Sequence, residues 1–182
     1  MNERVLLVAP ASNRSPQFES AGFQIITWPR LQLSPLENFA PLDDAIANLY
    51  GYDWIIFVNP DAVRFFIERL EQQSREVSDL DSLRVCAIGE ATATALEHVR
   101  VHVDVVASQT NPSATVEQLA TYTGGIEHLD RVNFLLPQAA IGRDYLKGHI
   151  ENIGARADVV IAYQTVAHDD LTRLAGLQSM LL

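Results

Sequence analysis

The chain has 182 residues, of which 48% are hydrophobic and 20% are charged, as in an ordinary soluble globular protein. Its net charge of −10 argues against nucleic acid and against an anionic membrane surface as partners. The single cysteine, Cys86, lies in an apolar strand pattern and is predicted to be a buried structural thiol. The low cysteine count and a start without a secretory pattern favour a reducing, cytoplasmic location.

Changes in hydrophobic period predict strands that alternate with helices along the chain. The predicted strands are 4–10, 23–28, 54–58, 84–88, 101–106, 131–136 and 156–163. The predicted helices are 15–22, 42–50, 60–75, 90–98, 114–122 and 142–153, and a further helix begins at about 169. Segment 29–41 carries three prolines and no clean period, so it is predicted to be a linker. Because each crossover is long enough to hold a helix, we expect parallel sheets and an α/β fold.

The stretch DWIIFVNPDAVRFF, residues 53–66, is predicted to form the central strand–turn–helix unit of the chain. Its first half is a short apolar run, which is typical of a strand covered on both faces. Asn59 is then a favoured helix cap and Pro60 a favoured first helical residue. A helix N-terminus therefore directly follows the strand.

The same strand–turn–helix design recurs at 84–96 and 132–150. Ligands of open α/β sheets bind beyond the carboxyl ends of the strands, and helix N-termini offer free N–H groups to anions. We therefore expect an array of turns that presents backbone donors to an anionic ligand. Backbone donors are compatible with a chain whose net charge is negative. The five histidines show no metal-ligand spacing, so no metal is expected.

Six segments together resemble the uroporphyrinogen-III synthase family, in order and at plausible spacing. They are DWIIFVNPDAVRFF, VCAIGEATATAL, VDVVASQTNPSATVEQLA, the long segment NFLLPQAAIGRDYLKGHIENIGARADVVIAYQTV, and the opening VLLVAP with GFQIITWP. The resemblance covers residues 4 to about 168. The individual motifs are loose, but their sequence of appearance is fairly specific.

The resemblance implies two α/β lobes joined by a two-stranded hinge. Residues 1–34 would be the N-terminal part of a discontinuous first lobe, 35–164 the continuous second lobe, and 165–182 the hinge return with a truncated start of the rest of lobe 1. One lobe would thus be complete and the other partial. The implied substrate is hydroxymethylbilane, which a dehydrating lyase cyclises to uroporphyrinogen III with ring D inverted, without metal or organic cofactor.

The resemblance also implies roles for particular residues. Tyr163 would assist loss of the substrate hydroxyl group. The substrate carboxylates would be bound by three turns, which contain Phe57, Val58 and Asn59; Gly89, Ala91 and Thr92; and Pro137 and Gln138. The family usually has a Thr-Ser pair where this chain has Val58-Asn59, Thr-Arg-Pro where it has Val8-Ala9-Pro10, and Pro-Arg-Gly where it has Pro137-Gln138-Ala139. Each departure removes a donor or a cation.

Two other interpretations remain open at this stage. The chain could be a non-catalytic remnant of the family, acting as a tetrapyrrole-binding or protein-interaction module. It could also be an unrelated flavodoxin-like domain that binds a small molecule. The apolar C-terminus, Met180-Leu181-Leu182, suggests either a chain cut short or a tail that docks on a partner, including a homodimer. Two interpretations of Asn59 carry about equal weight: it is only a helix cap, or it is a helix cap that also contacts the ligand.

Overall fold

The computed structural model describes residues 4–8, 24–28, 31–108, 111–141 and 145–167. The chain divides into two compact units, one formed by residues 1–34 with 165–182 and the other by residues 35–164. The helices predicted at 15–22 and from 169, and the apolar C-terminus, lie outside the described residues.

In the first unit, strands β1 (Arg4–Val8) and β2 (Gln24–Trp28) form a parallel pair. Arg4 is aligned with Gln24 at one end of the pair and Val8 with Trp28 at the other. Both strands fall within the predicted segments 4–10 and 23–28.

The larger sheet has six strands, in the order β3-β8-β7-β4-β5-β6. Their bounds are β3 Leu31–Ser34, β4 Trp54–Phe57, β5 Arg84–Ile88, β6 Val105–Ala107, β7 Asn133–Ala139 and β8 Arg156–Ala167. The described helices are α1 Ala40–Ala47, α2 Pro60–Gln72, α3 Glu90–His98, α4 Pro112–Thr123 and α5 Tyr145–Glu151. Short 3₁₀ turns occupy Leu49–Gly51, Val77–Ser82 and Ile126–Leu129.

The strand order of β4 to β8 is that of a doubly wound parallel sheet. The pairings β4–β5, β4–β7, β5–β6 and β7–β8 are all parallel, which confirms the α/β prediction. The chain moves from β4 outward to β6, and then returns to the other side of β4 to add β7 and β8. The order therefore reverses between β4 and β7, and a crevice opens at such a point beyond the carboxyl ends of the strands.

Alternate side chains of the strands pack on opposite faces, as the pleat requires. On one face, Trp54 stacks on Phe134 with ring centroids 6.1 Å apart, and α4 and α5 cover this face with Leu119 and Ile150. On the other, Phe57 meets Phe66 of α2 edge to face at 5.5 Å. Cys86 is fully buried in the first of these clusters, which confirms that it is a structural thiol.

Several element boundaries differ from those that the sequence predicts. Strand β3 lies inside the segment 29–41 that was predicted to be a linker. β6 starts at Val105 rather than at 101; the Val101 N–H donates instead to the Leu96 carbonyl at the end of the preceding helix, at 3.0 Å. β8 continues beyond Tyr163 to Ala167.

The predicted strand 131–136 ends too early, since β7 runs through Pro137 to Ala139. Proline lacks the N–H that a central strand donates to its neighbour. Here the pairing of β7 with β4 ends at Leu135, so Pro137 lies beyond the part of the strand that has neighbours on both sides. Its Cα partner is Val160 of β8.

Candidate functional site

The candidate site lies at the carboxyl edge of the larger sheet. β4 ends at Phe57, β5 at Ile88, β6 at Ala107 and β7 at Ala139. Because these strands are parallel, the residues that follow each of them meet at one edge. The expected turns therefore do lie on the same edge, and the first and third flank the point where the strand order reverses.

The start of α2 is capped by its own sequence. The Asn59 Oδ1 accepts a hydrogen bond from the Ala62 N–H at 2.7 Å, and Pro60 carries no N–H. An α-helix leaves its first N–H groups without intrahelical acceptors, and at α2 only the Asp61 N–H remains uncommitted among the first three helical residues. The acidic side chain of Asp61 already lies in this turn. The turn thus offers an anion fewer donors than the sequence pattern indicates.

Tyr163 is brought to this turn by β8. Its side chain is 4% exposed, and its ring stacks on Phe65 with centroids 5.0 Å apart and planes inclined by 10°. The Asn59 Nδ2 lies 3.1 Å from the Tyr163 hydroxyl oxygen, to which it donates. The structure therefore brings together two of the residues that the resemblance indicates, from positions 104 residues apart in the chain.

The surroundings of the phenol raise the pKa of Tyr163 above its usual value, chiefly because burial disfavours the phenolate. Hydrogen bonding from Asn59 and the charge of Arg64 lower this pKa, while the charge of Asp61 raises it further. The net direction keeps the hydroxyl protonated at neutral pH. A protonated hydroxyl is able to donate a hydrogen bond to a leaving oxygen.

The end of β7 pairs with β8, the strand that carries Tyr163. The pairing of β7 with β8 is irregular between Gln138 and Ala139, so that Ala139 is aligned with Tyr163. The Ala140 N–H then donates to the Tyr163 carbonyl at 2.8 Å. The side chain of Gln138 is only 8% exposed and has partners within the protein. The third expected turn thus helps to fix Tyr163, and its proline and glutamine side chains are buried.

The start of α3 is the most open of the three turns. Gly89 has a φ of 85° and a ψ of 154°, a conformation for which glycine is nearly obligatory, and its N–H donates to the Ala107 carbonyl at 2.8 Å. It provides no side-chain cap, so the N–H groups of Glu90 and Ala91 are the donors that this helix start offers. Thr92 is fully buried, and its hydroxyl donates to the Ile88 carbonyl at 2.8 Å.

A shallow cavity of about 540 Å³ lies beside this turn. It is lined by Gly89, Glu90, Ala91, Val106, Ala107, Ser108 and Gln118. The Gln118 Oε1 accepts a hydrogen bond from the Ser108 N–H at 2.8 Å at the edge of this cavity. Ser108 and Gln118 were not among the expected site residues. Ser108 directly follows β6 in the structure, whereas the predicted strand ends at 106.

The remaining expected residues lie where only their backbone could meet a ligand. Phe57 is fully buried against Phe66, and Val58 is half-buried between the strand and the cap. Of the expected set, Asn59, Tyr163 and the end of β7 are in direct contact. The Gly89 turn follows the neighbouring strand β5.

A second cavity, of about 560 Å³, opens at the amino edge of the sheet. Its basic groups are paired within the protein: Arg156 with Asp158 at 2.8 Å and Lys147 with Glu151 at 3.7 Å. Lys147 and Glu151 are four residues apart in the same helix, a spacing at which opposite charges meet on the helix surface. Because its cations are neutralised, this cavity is a poorer candidate for binding an acidic ligand.

Within the described part of the chain, no three histidine, cysteine or acidic side chains are grouped so as to hold a metal ion. None of the described helices has the length and apolar character needed to cross a bilayer.

The fold defines a class: a two-unit α/β protein whose larger unit contains a doubly wound parallel sheet, with the candidate site at the carboxyl edge of that sheet. The family model of uroporphyrinogen-III synthase HemD matches residues 13–179. The chain therefore belongs to the uroporphyrinogen-III synthase family.

Individual relatives agree with this assignment. The uroporphyrinogen-III synthase of Synechococcus elongatus is 26% identical over 169 residues, which are 91% of this chain and 61% of the relative. The chain thus spans about three fifths of the length of that relative. The crystal structure of wild-type uroporphyrinogen III synthase from Thermus thermophilus has a TM-score of 0.61 at 18% identity and covers 91% of this chain and 63% of that one. The enzyme from Helicobacter pylori has a TM-score of 0.58 at 19% identity, with 97% and 68% covered. The two structural likenesses concern the fold.

Proposed function

We propose that this chain carries out, or forms part of a protein that carries out, the uroporphyrinogen-III synthase reaction. In that reaction the terminal hydroxymethyl group of hydroxymethylbilane loses its C–O bond, and the oxygen leaves as water. The resulting cation is attacked by the far pyrrole, which then loses a proton, and the macrocycle closes with ring D inverted. The substrate is a small molecule with eight carboxylates, and the proposed location is the cytoplasm. The proposal includes no metal and no organic cofactor.

The observation that carries the proposal is the Tyr163 hydroxyl beside the reversal of the strand order. A tyrosine hydroxyl is protonated at neutral pH, and burial, which raises the pKa of Tyr163, keeps it so; the phenol can therefore donate a hydrogen bond to the departing oxygen. The donors of the α3 start, Glu90 N–H and Ala91 N–H, are suited to a substrate carboxylate. Much of the catalysis would then be positioning of a reactive cation.

A specific observation also favours the alternative, a family member that binds a tetrapyrrole or another protein without catalysis. Acidic side chains, Asp61 and Glu90, lie in the first turns of α2 and α3. Each already interacts with the positive end of its helix and would repel a substrate carboxylate there. In this alternative the fold persists while carboxylate recognition is weak.

A coupled assay separates the two functions. Hydroxymethylbilane is generated in situ, and the ratio of uroporphyrinogen III to the spontaneously formed isomer I is measured with and without the protein. Excess isomer III supports the synthase, and isomer I alone from folded protein supports the binding module. In an active protein, Tyr163→Phe should slow ring closure by roughly 10- to 100-fold, because it removes a hydrogen-bond donor from the leaving group.

A further inference from the structure

We propose that Asn59 is a positioning residue, whose amide nitrogen donates to the Tyr163 oxygen and thereby leaves the phenol proton free for the substrate hydroxyl. This inference rests on the proposed synthase function, and it changes the expected role of Asn59 from a substrate contact to a partner of the donor.

The orientation of the Asn59 amide is set by the helix that it caps. Its Oδ1 lies 2.7 Å from the Ala62 nitrogen, which is a donor. Rotating the amide by half a turn would bring its NH₂ group against this N–H, so that two donors would face each other. The cap therefore fixes the oxygen toward α2 and the nitrogen away from it.

The nitrogen so directed meets the phenol. Nδ2 lies 3.1 Å from the Tyr163 oxygen and has no lone pair, so in this contact the phenol must accept. The opposite arrangement, in which the phenol donates to Oδ1, is also within hydrogen-bond distance, at 3.3 Å; it is the longer of the two, and Oδ1 already accepts from the Ala62 N–H at 2.7 Å. In the shorter contact, with Nδ2 as the donor, the proton of Tyr163 is left for another acceptor.

The Tyr163 side chain has little freedom to leave this position. Its ring lies against Phe65 at 5.0 Å, and its carbonyl accepts from the Ala140 N–H at 2.8 Å. The guanidinium of Arg64 lies 4.0 Å from the centre of the Phe65 ring. The ring and backbone contacts fix where the oxygen lies, and Asn59 decides which way its proton points.

A second asparagine shows what capping alone looks like. Asn111 precedes Pro112 and caps α4 by accepting from the Ala114 N–H at 2.7 Å, with backbone angles close to those of Asn59. α4 covers the other face of the sheet from α2. Both sites have an Asn-Pro pair and the same cap geometry, and they differ in that Asn59 also contacts the hydroxyl of Tyr163. Asn111 is thus a matched control.

The test measures the pKa of Tyr163 in the free protein by ¹³C NMR of Cζ-labelled tyrosine, with Tyr163→Phe used to assign the signal. Asn59→Ser keeps a capping oxygen but is too short to cap and reach the phenol together. We expect Asn59→Ser to raise the pKa of Tyr163, because the phenolate loses a donor. Asn111→Ser should leave it unchanged. A pKa that falls, or does not move, in Asn59→Ser would overturn the proposal, since a phenol donating to Oδ1 gives a fall.

Kinetics supply the second arm. In the coupled assay, Asn59→Ser should lower kcat about tenfold with little change in KM, whereas Asn111→Ser should match the unmodified protein. Asn59→Asp keeps the cap but replaces the donor by an acceptor that takes the phenol proton, so its loss should be larger. A drop in Asn59→Ser no greater than that in Asn111→Ser would overturn the positioning role. If the unmodified protein forms no isomer III, the proposed function fails, and the titration still decides whether Asn59 sets the phenol proton.

Discussion

Replacement of Gly89 by alanine tests the geometry of the most open turn at the site. Gly89 has φ 85° and ψ 154°, a region that residues with a Cβ rarely adopt. Holding alanine there costs about 1–3 kcal/mol of folding free energy. The unfolded chain loses some freedom with the substitution, which returns about 0.4–1 kcal/mol. The difference of the two ranges is a net loss of up to about 2.6 kcal/mol, with a middle value of about 1.3 kcal/mol.

The assay is urea denaturation followed by the fluorescence of Trp54, in a Trp28→Phe background so that one tryptophan reports. Gly51→Ala is the matched control, since a Cβ at Gly51 meets nothing within 4 Å. Its effect should stay within about 0.5 kcal/mol. Equal stability of the two variants would refute the reasoning, because it would mean that the turn before α3 does not require a positive φ. In an active protein, Gly89→Ala should also weaken substrate binding, because it shifts the amides of Glu90 and Ala91.

Three further perturbations follow from the core and the helix contacts. Burial raises the pKa of Cys86 to about 12, so its thiol should react with a disulfide reagent only after unfolding. Because the pKa of this thiol is higher in the folded than in the unfolded protein, the free energy of unfolding should fall as pH rises from about 9 towards 12. The midpoints of urea denaturation at several pH values measure this fall. Asp43→Asn should cost about 1–2 kcal/mol in the same urea assay, because it breaks a two-pronged pair with Arg69 in which both distances are 2.6 Å; no loss would mean that the pair is fully solvated. Phe134→Ala should cost about 3–5 kcal/mol by opening a cavity against Trp54, and a loss below 1 kcal/mol would contradict the packing.

The sequence predicts the strands of this protein well where they are apolar and bounded by clear turn residues. β4 and β5 were found within a residue of their observed bounds because both are buried runs that end in a cap or a glycine. β3 was missed because it has four residues and lies among prolines. The run through Pro137 was misjudged because a proline usually ends a strand, and only the pairing with β4 shows that its missing N–H is harmless.

The site was predictable in its parts and not in its assembly. The cap at Asn59 is a local property of Asn-Pro followed by a helical stripe, so the sequence indicates it directly. The contact of Asn59 with Tyr163 joins residues 104 positions apart and depends on the order of the strands, which no local pattern carries. The positions of Glu90 and Asp61 in the first turns of their helices are, by contrast, local and follow from the predicted helix starts. A motif that presents backbone amides does not show which of them its own side chains will use.

The pairing of β4 with β7 has a consequence for how this chain is made. The Asn133 N–H donates to the Asp53 carboxylate at the start of this pair, a contact between residues 80 positions apart. During synthesis β4 can pair with β5 soon after both emerge, while its other edge waits for β7. That edge is apolar and would be open to other chains in the interval. Slow refolding and aggregation of nascent or partly folded chains are therefore the expected liability of this strand order.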